Sequence, residues 1–360
     1  GRMKAEGEKL SALLKNSESK LKRGSADPIV NRLVIDSRRV TPGSLFFALP
    51  GMRHDGTSFV DEALTRGAVG VVSNAPRRFG NSKAVFVNSA DPRVTLAKVA
   101  RRFFGKPDKD LTLIGITGTN GKTTVSYLAK HFLSLDDVKT GCLGTIGYDL
   151  VERVLPSFRT TPEAHDLCEL LAQMKGFGCE RAVMEVSSHG IDQMRVAELK
   201  FDVGAFLNLT RDHLDYHGDM DSYFEVKRRF IVGELGRTPK KLAINLDDVY
   251  GLKLAEELDN DSLISFGTGP DAKIQAVDVD MAPDGTIFTL RYEGKDRLVR
   301  SPLIGHYNVS NVLAAIAIAA AVGVDLDSCI GSLSTFDGIP GRMERIQNGQ
   351  PFEVVVDYAH

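Results

Sequence analysis

Residues 115–124 read GITGTNGKTT, and this segment decides the fold of the chain. The short apolar run at residues 111–114 before it has the length of a buried strand, and residues 125–133 after it carry apolar side chains at helical spacing. A strand, a glycine-containing turn and a helix that opens with Lys-Thr form a cradle for phosphate, because the helix dipole favours an anion and backbone N–H groups point inward. The segment therefore predicts an α/β domain with a nucleotide phosphate site.

The phosphate loop departs from the general pattern in its spacing. That pattern has glycine six residues before the lysine, where this chain has Ile116, and Gly118 comes two residues later. Lys122 is expected to reach the outer phosphates and the Thr123 hydroxyl to hold Mg²⁺. An ordinary strand-to-helix turn is the alternative, but it does not account for Lys-Thr-Thr directly after glycine. The predicted nucleotide-binding set is Gly118, Thr119, Asn120, Gly121, Lys122, Thr123 and Thr124.

Composition limits the class of protein. The 360 residues are 42% hydrophobic and 26% charged, which is typical of a soluble globular chain with two or three domains. The net charge of −2 gives no electrostatic case for nucleic acid as a partner. No apolar run reaches the length of a membrane span, so no membrane insertion is predicted. Four cysteines without paired spacing indicate reduced thiols in a cytoplasmic protein.

The pattern of strands and helices predicts an α/β fold in three parts. Residues 1–108 carry short strands and intervening helices, which is typical of a small α/β domain. Residues 109–338 alternate near-continuous apolar strands with helices, which predicts a mostly parallel sheet covered on both faces. Residues 272–303 alternate instead and predict antiparallel strands. Residues 339–360 form a hinge and the first strand of a third domain.

Ionisable residues cluster where the strands of the central domain end. Glu185 ends one strand, and a loop at residues 208–218 with two Asp, two His and one Arg follows the next. Ligands of α/β sheets bind beyond the carboxyl ends of strands, so these groups are candidates for metal binding and catalysis. A solvated strand-end carboxylate and a helix-capping turn with Asp212 as the cap are the alternatives. Lys227 looks like one more cation on an amphipathic helix.

These residues together resemble the Mur ligases, the ATP-dependent amide-forming enzymes of peptidoglycan synthesis. The match at residues 184–190 is similar to the type that adds the third residue of the stem peptide. The resemblance implies an N-terminal UDP-binding domain, a central P-loop ATPase-like domain and a C-terminal Rossmann-like domain, of which this chain has only the first strand. The segments that carry the resemblance are residues 36–38, 42–46, 117–124, 160–162, 184–190, 208–218, 341–344 and 357–360.

The resemblance also implies substrate-binding residues. Those expected near the uridine and pyrophosphate are Ser37, Met52, Arg53 and His54. Those expected to contact the MurNAc-peptide portion are Thr160, Thr161, Ser187, Gln193 and Arg195. For the nucleotide, the resemblance implies contacts of adenine with Asn308 and Asn311, of the phosphates with Arg342, and of the ribose with Asp357.

Two Mg²⁺ ions are implied by the same resemblance. Thr123 and Glu185 are expected to hold the first. His213 is expected to hold the second together with Lys227, after CO₂ has converted the lysine into an anionic carbamate. The catalytic set implied by the resemblance is Lys122, Glu185, His213, Lys227 and Arg342.

The implied reaction joins a diamino acid to UDP-MurNAc-L-Ala-D-Glu through an acyl phosphate made from ATP. Diaminopimelate is expected rather than L-lysine because it is the commoner substrate of this type, and a monomer is expected. A non-catalytic binding or scaffold protein with the same fold is the main alternative, although such a protein has no need of metal ligands. A folylpolyglutamate-type ligase is a third, but it should lack the segment that carries Asp36, Ser37 and Arg38.

Overall fold

The computed structural model describes residues 6–51, 56–74, 82–211, 219–340, 344–346 and 354–356. The α-helices are α1 Leu10–Leu13, α2 Gly56–Thr65, α3 Pro92–Phe103, α4 Lys122–Leu133, α5 Ala164–Gly176, α6 Ser188–Asp192, α7 Met220–Val232, α8 Val249–Ala255, α9 His306–Val322 and α10 Leu326–Ser332. The strands are β1 Glu8–Lys9, β2 Ile29–Val30, β3 Arg32–Val34, β4 Ser44–Phe47, β5 Gly70–Ser73, β6 Val85–Asn88, β7 Thr112–Thr117, β8 Thr140–Leu143, β9 Gly147–Asp149, β10 Val154–Pro156, β11 Arg181–Glu185, β12 Val203–Phe206, β13 Lys241–Asn245, β14 Leu263–Gly267, β15 Ile274–Ala282, β16 Gly285–Tyr292, β17 Lys295–Ser301, β18 Glu344–Ile346 and β19 Val354–Val356.

The chain divides into two compact units that are not contiguous in sequence. The first comprises residues 1–107 together with Glu163–Ala172 and Gln193–Glu198, and the second comprises the remainder. The domain boundaries after residues 108 and 338 stay predictions. What the sequence could not indicate is that two short segments from the middle of the chain belong to the first unit.

The first unit is built on a four-stranded parallel sheet in the order β3-β4-β5-β6. All four residues of β4 are buried, as expected for a central strand covered on both faces. Helix α3 begins where the Asp91 side chain accepts hydrogen bonds from the backbone N–H groups of Arg93 and Val94, with Pro92 at the first helical position.

The second unit contains an 11-stranded sheet in the order β10-β9-β8-β11-β7-β12-β13-β14-β15-β16-β17. The strands from β8 across to β15 in this order pair in parallel, whereas β9–β10 and β15–β16–β17 are antiparallel hairpins at the two edges. The predicted α/β class, with a mostly parallel central sheet and antiparallel strands near residues 272–303, is confirmed.

Helix α9 fills the core of the second unit. Apolar residues occupy almost the whole helix. Ten of the eleven residues from Val309 to Ala319 are buried, and the helix packs against α4 and strands β13 and β14. A helix that is apolar all round belongs inside a protein rather than at its surface. Among the described residues, no helix has both the length and the apolar character needed to cross a membrane.

Strand β7 is the centre of the site because of its neighbours. Glu185 of β11 pairs with Ile116 on one side of β7, and Phe206 of β12 pairs with Thr117 on the other. All three strands run in the same direction, so the loop after β7, the end of β11 and the end of β12 meet at one edge of the sheet.

Candidate nucleotide and metal site

The turn from β7 into α4 has the backbone that a phosphate loop requires. Gly121 precedes the first helical residue and has φ 92°, a left-handed conformation that glycine adopts without strain. A Cβ atom at this position would lie 2.5 Å from Asn311 Oδ1. Glycine therefore allows both the turn and the close approach of α9, which brings Asn311 beside the loop.

The Asn208 side chain clasps the phosphate loop. Its Oδ1 atom accepts from the backbone N–H groups of Thr119 at 3.1 Å and Asn120 at 2.9 Å, and its Nδ2 group donates to Asn120 O at 2.8 Å. The inward N–H groups were expected to face phosphate, and for these two residues the structure shows a protein acceptor instead. The loop is thus held by the segment that follows β12.

Lys122 folds back over the loop that it follows. Its Nζ atom donates to Gly118 O at 2.6 Å and approaches Thr119 O at 3.5 Å. Burial lowers the pKa of the Lys122 ammonium, and the nearby Glu185 carboxylate partly opposes that shift. To reach a bound phosphate, the amine has to exchange these carbonyl acceptors for phosphate oxygens.

Glu185 is 2% exposed and lies beside Thr123. The Thr123 hydroxyl donates to Glu185 Oε1 at 3.0 Å. A hydroxyl and a carboxylate at this distance are the oxygen donors that Mg²⁺ prefers. Within the described residues no group of three or more His, Cys, Asp or Glu side chains is placed to hold a metal, so the pair offers part of a coordination shell that phosphate oxygens and water would complete.

Lys227 is the most unusual ionisable group of the site. It is 1% exposed, and its Nζ atom donates to Thr117 Oγ1 at 3.4 Å and to Gly118 O at 3.3 Å. Neither partner carries a charge. Burial lowers the pKa of Lys227 well below its usual range, and the positive charge of Lys122 lowers it further. Nothing in the local sequence indicates this, because the spacing on α7 shows only that one face is buried.

Three predicted substrate residues of the second unit surround the end of β11. The Thr160 and Thr145 hydroxyls are 3.1 Å apart. The Thr161 hydroxyl donates to Glu185 O at 2.9 Å and accepts from Ser187 N at 2.9 Å. Thr160 and Thr161, together with Ser187, which follows Thr161 by 26 residues, thus form one polar patch next to Glu185.

The predicted substrate residues of the first unit lie in two places. The Ser37 hydroxyl donates to Glu62 Oε2 at 3.0 Å. Arg195 is buried, forms an ion pair with Glu163 at 3.4 Å and donates to Gln193 Oε1 at 2.7 Å. A buried guanidinium held by a carboxylate and an amide is suited to recognise an anionic group.

The two predicted adenine-contacting residues lie on the first turns of α9. The Asn308 Nδ2 group donates to Ile304 O at 2.8 Å, and the Asn311 Nδ2 group donates to Asn308 Oδ1 at 3.0 Å. Asn311 adjoins the loop through Gly121, as described above. The other predicted site residues lie outside the described part of the chain: Met52, Arg53, His54, His213, Arg342 and Asp357.

Two contributors to the site were missed at the level of sequence. Thr145 binds both carboxylate oxygens of Glu185, through its N–H group at 2.8 Å and its hydroxyl at 3.1 Å. Asn208 was noted only as part of a polar segment, not as the residue that holds the loop. The only feature that could have indicated their roles is position, because each residue follows a strand that pairs with β7 or β11. One sequence does not reveal the order of strands in the sheet.

A phosphate loop at the centre of a parallel sheet, with a carboxylate at the end of the adjacent strand, defines a nucleotide-binding α/β protein. Residues 116–319 match the family model described as "Mur ligase middle domain", and residues 30–104 match the model described as "Mur ligase family, catalytic domain". The chain belongs to the Mur ligase family, which confirms the resemblance inferred from its motifs.

Two curated relatives carry the same name, UDP-N-acetylmuramoyl-L-alanyl-D-glutamate--2,6-diaminopimelate ligase. The protein from Solibacter usitatus (strain Ellin6076) is 42% identical over 333 residues, which cover 92% of this chain and 67% of that protein. The protein from Geobacter sulfurreducens (strain ATCC 51573 / DSM 12127 / PCA) is 40% identical over 342 residues, with 94% and 67% covered. The chain thus spans about two thirds of the length of these relatives.

A solved structure of a ligase with this name has a similar fold. It superposes with a TM-score of 0.78 at 31% sequence identity, and the match covers 92% of this chain and 68% of that one. The similarity therefore extends through both compact units.

Proposed function

We propose that this chain provides the substrate- and ATP-binding parts of a ligase that joins meso-diaminopimelate to UDP-MurNAc-L-Ala-D-Glu. The observation that carries the proposal is the convergence of Lys122, Thr123 and Glu185 at the phosphate loop, in a chain whose curated relatives bear this activity in their names. A scaffold that binds no nucleotide has no need of a buried carboxylate paired with the loop hydroxyl, because that pair is suited to a metal-bound nucleotide.

ATP is the proposed nucleotide. Lys122 would move from the Gly118 carbonyl to the β- and γ-phosphates, while the N–H groups at the start of α4 face the anion. Asn311, and Asn308 through it, would position the base. Mg²⁺ would be held by Thr123 and Glu185 and would supply charge neutralisation at the transferred phosphoryl group. Arg342 and Asp357 are proposed to approach the phosphates and the ribose.

A carbamate on Lys227 is the proposed ligand of a second Mg²⁺, together with His213. A neutral amine can attack the carbon of CO₂, and loss of one proton from nitrogen leaves the carbamate anion. The buried position of Lys227, with uncharged partners and with Lys122 nearby, favours the neutral amine that this step needs. The product would replace an uncharged amine by an anionic oxygen donor beside the phosphate loop.

The UDP-linked substrate is proposed to bind through two sets of residues. Ser37, with Met52, Arg53 and His54, would recognise the uridine and pyrophosphate. Arg195 and Gln193, with Thr160, Thr161 and Ser187, would bind the sugar and peptide, because hydroxyl groups and a guanidinium suit a molecule with several carboxylates.

The reaction then needs two displacements. The D-Glu side-chain carboxylate attacks the γ-phosphorus of ATP, so that a P–O bond to ADP breaks and an acyl phosphate forms. The amine of the diamino acid attacks the acyl carbon, phosphate leaves with the C–O bonding electrons, and the new amide nitrogen gives up a proton. The chain contributes positioning and charge neutralisation, with Lys122 as the mobile cation.

The proposed setting is a monomer in the cytoplasm. The four cysteines are all free and buried, which fits a reducing compartment. Diaminopimelate is preferred to L-lysine as the substrate because both curated relatives described above are named for it.

The test is ligation measured side by side with diaminopimelate and L-lysine. The 360-residue chain and the product of its complete reading frame are each mixed with UDP-MurNAc-L-Ala-D-Glu, ATP and Mg²⁺, and the peptide product and released phosphate are quantified. We expect ATP-dependent product with diaminopimelate from the complete protein. Binding of the UDP-linked substrate with no ATP consumption by either protein would support the scaffold alternative, and faster ligation of lysine would overturn the choice of amino acid.

A further inference from the structure

We infer that Thr145 is a positioning residue that fixes the carboxylate of Glu185 for its metal. The inference rests on the proposed function, since it takes Glu185 as a metal ligand. Thr145 follows β8 directly after Gly144, and nothing in the sequence of this segment, Leu143-Gly144-Thr145-Ile146, marks it as part of a site.

Thr145 makes two hydrogen bonds to one carboxylate. Its backbone N–H group donates to Glu185 Oε2 at 2.8 Å, and its hydroxyl donates to Glu185 Oε1 at 3.1 Å. With the Thr123 hydroxyl also on Oε1, both oxygens are held and the plane of the carboxylate is fixed. Groups that hold metal ligands in this way change metal affinity by about 10- to 100-fold when they are removed.

Gly144 makes this contact possible. A Cβ atom at this position would overlap Glu185 Oε2 and would also crowd the carboxyl carbon. The overlap involves the carboxylate itself, so a Cβ atom at position 144 would push the carboxylate away from Thr123. Glycine at position 144 therefore leaves the space that the Glu185 carboxylate occupies, and the Gly-Thr pair acts as one cradle for Glu185.

The hydroxyl of Thr145 also connects Glu185 to the proposed substrate patch. Because its single proton is donated to Glu185 Oε1, Thr145 Oγ1 accepts from the Thr160 hydroxyl at 3.1 Å. Thr161, the next residue, donates to the backbone carbonyl of Glu185. A substrate that engages Thr160 thus competes for a hydrogen bond that supports the metal ligand, which couples substrate binding to the metal site.

The experiment measures Mn²⁺ binding in the presence of ADP by electron paramagnetic resonance, which needs no turnover. Thr145→Val removes the hydroxyl at constant shape and keeps the N–H group, and Thr145→Ser restores the hydroxyl. Thr140→Val is the matched control, because the Thr140 hydroxyl, on β8, is buried and donates to Leu133 O at 3.0 Å, away from the site. Glu185→Gln tests the metal ligand itself, and Gly144→Ala tests the cradle.

We expect Thr145→Val to weaken Mn²⁺ binding about 10-fold, Gly144→Ala to weaken it about 10- to 100-fold, and Thr145→Ser to stay within about 2-fold of the unmodified chain. Thr140→Val should leave the affinity unchanged. A Thr145→Val variant that binds like Thr140→Val while Glu185→Gln binds poorly would overturn the role of Thr145 alone. Unchanged binding in Glu185→Gln would instead overturn the metal site of the proposed function.

Discussion

The central strands and the outer strands of the 11-stranded sheet use polar and ionisable residues differently. At the centre, the parallel strands β11, β7 and β12 all end at one edge of the sheet, where Glu185, the phosphate loop and Asn208 meet. In the antiparallel hairpin strands β15, β16 and β17, strand directions alternate. The carboxyl ends of neighbouring strands therefore lie on opposite sides of the sheet and do not meet. Parallel pairing therefore gathers chemistry from distant parts of the sequence, and the hairpin does not.

Burial of ionisable groups differs between the two regions as well. Lys227 is 1% exposed and Glu185 is 2% exposed. On the hairpin, Arg291 and Asp296 form an ion pair at 3.0 Å with side chains that are 53% and 52% exposed. Pairs in contact with water contribute about 0–1 kcal/mol, whereas a desolvated charge interacts strongly with its surroundings. We expect substitutions at the centre to affect function and those on the hairpin to be silent.

The largest effect is expected for Lys122→Met. The substitution keeps an unbranched side chain but removes the cation proposed to neutralise the transferred phosphoryl group, and loss of one such group lowers the rate about 100- to 1,000-fold. Ligation rate at saturating ATP is the measurement. Arg291→Met, the same loss of a cation on the hairpin, should keep the rate within about 2-fold. Equal losses in both variants would show that position in the sheet does not decide the role of a charge.

A smaller effect is expected for Asn208→Ala. The change removes three side-chain hydrogen bonds to the phosphate loop, each worth about 0.5–1.5 kcal/mol. We expect ADP affinity, measured by calorimetry, to fall about 10- to 100-fold because the loop loses its fixed shape.

The matched control is Asn245→Ala, at the end of the next strand. Asn245 donates to Leu207 O and Ser310 Oγ rather than to the loop. Its ADP affinity should match that of the unmodified chain. Tighter ADP binding in Asn208→Ala would show that the clasp withholds the N–H groups of Thr119 and Asn120 from phosphate rather than ordering the loop.

The smallest effect is expected in the pH dependence of stability. The folded-state pKa of Lys227 is depressed by burial, so in the window between that pKa and the unfolded value of about 10.4 the unfolded chain binds more protons. Stability contributed by this group therefore rises with pH, by at most about 1.4 kcal/mol per pH unit. Lys227→Met removes this contribution, and its stability advantage over the unmodified chain should shrink from pH 7 to pH 9.5.

Chemical unfolding in CO₂-free buffer measures this difference, because bicarbonate would add the proposed carbamate to the unmodified chain only. Lys122, whose pKa is also lowered by burial, is present in both proteins, so the difference between them reports on Lys227 and on its repulsion with Lys122. A free-energy difference that does not vary with pH would show that the Lys227 amine is protonated in the folded state across this range.

Several features of the site could be predicted from the sequence because they are local. The apolar strand, the glycine turn and the Lys-Thr helix start are contiguous, so β7, the loop and α4 follow from one segment. Glu185 could be proposed because it ends an apolar run. Thr145 and the clasp of Asn208 could not, because each depends on which strands are neighbours in the sheet. Their contacts with the site span 40 and 89 residues of sequence.

The sequence by itself determined that this is a nucleotide-binding α/β protein of the Mur ligase type, because the phosphate loop and the motifs around it are short and contiguous. Only the tertiary structure decided which groups surround that loop. Parallel pairing put β11 and β12 on either side of β7. Burial lowered the pKa of the Lys227 amine. The fold also placed Gly144 and Thr145 against the carboxylate of Glu185. Strand order and desolvation are properties of the folded chain, since neither is encoded in any single segment.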